Sequence, residues 1–133
     1  MGEVKTKAFS GDDFRKELVK IMPGYDWTVH RQSKHFPELL EATGIKSSGF
    51  NRLSTLAVSR RERLVGVEYE AKSAGFGTRA PWLHTNRDGT LARTLRGLQQ
   101  HYEQTAATFY GHAAALQSSR ATQSPATEGG EGA

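Results

Sequence analysis

The stretch from Asp88 to Gln117 constrains this chain more than any other. Leu91, Leu95, Leu98, Tyr102, Thr105, Phe109, His112 and Leu116 recur in alternating steps of four and three, the spacing of a helix with one packed or paired stripe. It predicts about eight helical turns and, at ~1.5 Å per residue, a rod of roughly 45 Å. A domain built from 133 residues is narrower than that, so the far end is expected to outrun whatever covers the first turns. An uncovered stripe calls for a partner. Tyr102, Phe109, Tyr110, His112 and Leu116 are therefore the expected contacts of a homodimer formed through this helix, or of a second protein.

The residues upstream read as the layer that covers it. Ser10 to Asp13 has the S-x-x-D capping pattern, and Phe14, Leu18, Ile21 and Met22 share one face of a short helix that Pro23-Gly24 stops. Tyr25 to His30 alternates apolar and polar residues and reads as a strand. Leu39 to Lys46 is compatible with helix at PELLEA and with strand at ATGIK; strand is the preferred reading. Asn51 to Ser59 is a further strand, reversed by a charged turn at Arg60–Arg63. In Leu64 to Lys72, Val65, Val67, Tyr69 and Ala71 fall on one face and Gly66, Glu68, Glu70 and Lys72 on the other. Thr78 to Thr85 reads as the last strand, with Pro81 at an edge or bulge and His84 on the outer face. Asn86 or Asp88 is the expected cap of the long helix. The fold class is thus α+β: a short N-terminal helix, an antiparallel sheet of four to five strands, and a long C-terminal helix packed on one sheet face. A flexible arm over 1–9, with Phe9 as a hydrophobic staple, precedes a single domain over 10–117. A disordered tail follows over 118–133.

Composition narrows the class. The chain has no cysteine, which removes disulfides, thiolate zinc sites and thiol catalysis. No apolar run approaches the ~20 residues of a membrane span, and the start MGEVKTKAF lacks the apolar centre of a secretory signal. A cytoplasmic protein without a membrane segment is expected. The formal charge is +4 but unevenly spread: between Ala42 and His101, ten Lys and Arg stand against four acids. A region of this density favours polyanions through counterion release.

One short sequence repeats. Lys46-Ser47-Ser48-Gly49-Phe50 is echoed by Lys72-Ser73-Ala74-Gly75-Phe76, and Arg52 and Arg79 follow them. With strands alternating up and down, both stretches are turns at one end of the sheet. Lys46, Arg52, Lys72, Arg79 and Arg87 are then expected to contact phosphate, with Phe50, Phe76 and Trp82 as stacking surfaces for bases. The plainer reading is that each glycine permits a hairpin and each phenylalanine tucks beneath the sheet.

Catalytic signals are sparse. Glu70-x-Lys72 resembles the E-x-K half of the PD-(D/E)-x-K nuclease motif, which implies a metal-binding carboxylate and a lysine that helps activate water. The acid such a site also needs would have to come from Asp26 or Glu17. The element order is similar to that of double-stranded-RNA-binding domains in topology, although Asp88-Gly89-Thr90 stands where those domains carry a lysine-rich helix start. His101 and His112 are three turns apart and cannot share an ion. No metal or other cofactor is expected. The leading expectation is a small non-catalytic, DNA-associated nucleic-acid-binding accessory protein. The alternatives are a protein-interaction module or inhibitor of the mobile-element type and, third, a metal-dependent nuclease around Glu70 and Lys72.

Overall fold

The structure, a computed structural model, describes residues 8–121; most of the arm expected over 1–9 and of the tail expected over 118–133 lies outside them. The order is α1 (Gly11–Ile21), β1 (Asp26–Val29), β2 (Leu39–Ser48), β3 (Asn51–Arg63), β4 (Gly66–Ala74), β5 (Trp82–Asp88) and α2 (Leu91–Ser119). The five strands form one antiparallel meander, each paired with its sequence neighbours. This is the expected α+β class with five strands. The described residues divide into two units, 8–99 and 100–121.

In the first unit both helical segments share one core. Ser10 caps α1 with a reciprocal Ser10–Asp13 box, which satisfies donors that the first turn leaves open. Phe14 and Leu18 of α1 are fully buried and join Trp27, Leu40, Ala42, Leu56, Val58, Tyr69, Ala71, Leu91, Leu95 and Leu98. Phe9 packs against this cluster and lays its ring 3.7 Å from the Arg60 guanidinium carbon. Trp27 lies over Gly44 so closely that a Cβ at 44 would stand 2.6 Å from the indole ring. Its Nε1 donates to the Met22 carbonyl at 3.0 Å. On the same face α2 approaches β5: Asn86 Nδ2 donates to the Thr94 carbonyl at 3.0 Å, and a Cβ at Gly97 would collide with the Asn86 amide.

Residues 39–48 are strand throughout, in line with the preferred reading of 39–46: Leu40, Ala42 and Gly44 are buried while Glu41 is exposed, and burial on one sheet face overrides the helix propensity of PELLEA. Several other local expectations are corrected. Arg60–Arg63 is not a turn but the end of β3. Arg61 pairs with Leu39 and Glu68, and Arg63 pairs with Gly66, leaving the two-residue turn at Leu64-Val65. The last strand runs from Trp82 to Asp88 rather than over 78–85. Asn86 is inside that strand, and Thr90 receives the first-turn amide instead, its Oγ1 accepting from Arg93 N at 3.2 Å. Asp88 Oδ1 accepts from Gly89 N and from Arg93 Nε at 2.8 Å; these donors hold its carboxyl below the ordinary carboxylate range.

In the second unit α2 continues as helix to Ser119. Its residues are exposed from Ala106 onward, with Phe109 67% and Tyr110 80% exposed. The rings of His101 and Tyr102 meet edge to face at 5.2 Å.

Candidate binding surface at the hairpin tips

Helices cover one face of the sheet; the other face carries the polar alternation. Cross-strand pairing lays it out in rows: Thr28, Thr43, Ala57, Lys72 and Thr85 form one, and Glu41, Ser59, Glu70 and Arg87 the next. At the ends of the rows, His30 Nε2 lies 2.7 Å from Thr43 Oγ1, and Arg87 Nη2 lies 2.5 Å from Glu70 Oε2. Small side chains along β3 leave a shallow trough of about 410 Å³, with His30, Glu41 and Thr43 on one side and Glu70, Lys72 and Trp82 on the other.

At one end of this face the two look-alike loops adjoin. The Gly77 amide donates to the Arg52 carbonyl at 2.9 Å, tying the loop after β4 to the start of β3. Gly77 has φ +103, a conformation that favours glycine. Phe50 is fully exposed and Phe76 is 68% exposed, so neither ring tucks beneath the sheet. Lys72 Nζ lies 5.0 Å from the centroid of the half-exposed Trp82 ring, within cation–π range.

Two register shifts shape this end. Lys46 pairs with Ser54 but Ser47 with Arg52, so Leu53 is an extra residue on β3; Ser73 pairs with His84 but Ala74 with Trp82, so Leu83 is an extra residue on β5. Bulges bend the strand and re-aim its side chains. Trp82 and His84, two apart, therefore occupy opposite faces: Trp82 lines the trough, and His84 pairs with Ser73 in the row of the helix-covered face. This corrects the expectation that His84 stands outside. Both extra leucines are exposed, and neither was singled out by the sequence reading. A leucine next to a basic or aromatic neighbour has no signal until the pairing is known.

The sequence-expected residues divide by position. Phe50, Phe76, Arg52 and Arg79 belong to the adjoining loops or their flanks, and Lys72, Trp82 and Arg87 belong to the open face. Lys46 falls in the row of Ser54, whose Oγ accepts the Tyr25 hydroxyl at 2.8 Å, and its Nζ comes close to Gly24 in the turn after α1. No Asp or Glu occurs between Ala42 and Ser59 or between Ala71 and Arg87, so the loop end is cationic. Toward the other end, Glu68 accepts from Arg63 at 2.8 Å, and that guanidinium lowers its pKa.

No family model matches the chain, nor does any curated protein or solved structure. The geometry alone therefore carries the functional reading.

For metal chemistry the carboxylates are dispersed. Asp26 is on β1, three strands from Glu70 and in the row of Ala74, four residues further along β4, or roughly 20 Å at ~4.8 Å per strand and ~3.4 Å per residue. Glu17 lies on the helix-covered side, accepting from the Tyr69 hydroxyl at 2.7 Å. Among the described residues no three His, Asp or Glu are grouped to hold a metal ion. Nor, among them, is any helix long and apolar enough to cross a membrane. Of the expected partner contacts on α2, Phe109, Tyr110, His112 and Leu116 are exposed, while Tyr102 is half-buried.

Proposed function

We propose that this is a non-catalytic cytoplasmic protein that binds single-stranded nucleic acid with the cationic, aromatic end of its sheet, as a DNA-associated accessory factor. The observation that carries the reading is the Gly77–Arg52 hydrogen bond, because it joins the loop that holds the exposed Phe76 to the strand start that follows the exposed Phe50, in a stretch with basic residues and no acid. Stacking needs accessible ring faces, and a single strand offers bases that a duplex keeps stacked. Arg52, Lys72, Arg79 and Arg87 supply phosphate contacts; Phe50, Phe76 and Trp82 supply stacking. Lys46 adds to the field of the same end without reaching the open face.

A fluorescence-polarisation titration with a labelled single-stranded oligonucleotide at two salt concentrations tests this. Affinity should fall steeply with salt, and Phe50→Ala with Phe76→Ala should remove about 1–3 kcal/mol per ring. Absence of binding at low salt, or equal binding by the double variant, overturns the reading.

A second reading rests on the exposed Phe109, Tyr110 and Leu116 of α2, which suit a homodimer or a protein partner. A complex that survives nuclease treatment and is lost with changes at Phe109 and Leu116 would favour it.

A further inference from the structure

The trough on the open face contains a carboxylate that electrostatics alone would not place beside a nucleic-acid site. Glu41 lines it, is exposed, and among the described residues makes no hydrogen bond or ion pair through its side chain. The other acid on the trough wall, Glu70, is neutralised by Arg87. An unpaired carboxylate repels phosphate, yet it accepts hydrogen bonds at both oxygens and donates none. Resting on the nucleic-acid reading, we propose that Glu41 is a specificity-determining residue: the trough takes a nucleobase by its pairing edge, and Glu41 selects edges that present N–H donors.

Guanine fits best, because its ring N–H and amino group lie side by side and match a carboxylate in a two-bonded arrangement. Cytosine and adenine offer one amino group. Thymine and uracil present a single N–H between two carbonyl oxygens, and both oxygens repel the carboxylate. The surroundings admit a flat ring. Ala57 and Ser59 keep the floor low, the Thr43 hydroxyl is engaged by His30, and the Lys72–Trp82 pair stands across β3 to hold the neighbouring phosphate and base.

The test compares a thymidine homopolymer with an alternating thymidine–guanosine oligomer of equal length, for the parent protein and for Glu41→Gln. The parent should prefer the guanosine-containing strand about tenfold, the scale of one good bidentate base contact. Glu41→Gln, which keeps the shape but replaces one acceptor by a donor, should abolish most of that preference while binding the homopolymer at least as tightly. Equal binding of both oligomers by the parent overturns the inference and leaves the nucleic-acid reading standing. A uniform gain for both strands in Glu41→Gln also overturns it, because the carboxylate would then act only as a repulsive charge. If neither oligomer binds at low salt, both the inference and the reading fall. Circular dichroism of the variant should be unchanged, since the side chain has no folded partner to lose.

Discussion

The Tyr69 hydroxyl donates to the Glu17 carboxylate at 2.7 Å while accepting from Arg60 Nε at 3.1 Å, so one buried phenol links α1, β3 and β4. Arg60 also bonds Glu62 and lies under the Phe9 ring. This node joins the N-terminal segment to the sheet. Burial, with the Glu17 carboxylate second, pushes the Tyr69 phenol up to about 12.

Tyr69→Phe should lower stability by about 1–3 kcal/mol in urea denaturation, because both partners of the hydroxyl lose it in a buried setting. The pH dependence has a definite sign. Unfolded tyrosine ionises near pH 10, whereas the folded phenol keeps its proton until about 12. In that window the folded state binds more protons, so the contribution is complete below about pH 10 and is lost as pH rises toward 12. The gap between parent and Tyr69→Phe should therefore narrow over this range; a constant gap would contradict the assignment.

Gly44→Ala and Gly111→Ala should act in opposite directions. At 44 the new methyl meets the Trp27 ring at 2.6 Å, and overpacking there should cost about 1–3 kcal/mol. At 111 nothing lies within 4 Å, so alanine should gain up to about 1 kcal/mol of helix stability. Thermal melts of the two variants check both signs.

Gly77→Ala should loosen the joint between the tips. A side chain at φ +103 is strained by about 1–3 kcal/mol, and relaxing it withdraws the amide from Arg52. Oligonucleotide affinity should drop at temperatures where circular dichroism shows the variant folded. Unchanged affinity would separate the binding surface from the joint.

The exposed side of α2 predicts self-association. Sedimentation of the parent at tens of micromolar, a concentration range in which mass action favours modest dimers, should show a dimer. Phe109→Glu with Leu116→Glu should give a monomer with an unchanged sheet transition. A monomeric parent would remove the dimer.

Periodicity carried the reading wherever one element alone sets the pattern. The four-three stripe of α2, the Ser10–Asp13 cap and the alternation of Tyr69 and Ala71 against Glu68, Glu70 and Lys72 are local properties of helix and strand geometry, and each was legible before any coordinates. That Lys46-Ser47-Ser48-Gly49-Phe50 and its echo lie at one end of the sheet also followed from strand counting, but only Gly49-Phe50 and Gly75-Phe76 are outside the strands: Lys46–Ser48 close β2 and Lys72–Ala74 close β4. Boundaries were less legible. Arg60–Arg63 looked like a turn because charge clusters are common in loops, but pairing with β2 and β4 on both sides extends β3 through them.

By itself, then, the sequence determined which elements exist, which residues of α1, of the first turns of α2 and of the middle of β4 face inward, and where its cations are dense, because those follow from the repeat of a single backbone. Only the tertiary structure decided that the Gly77 and Arg52 segments touch, that Leu53 and Leu83 are surplus to their ladders, and that Trp82 and His84 part to opposite faces. Register belongs to two strands at once, and one inserted residue inverts every facing beyond it; no periodicity within either strand records that choice.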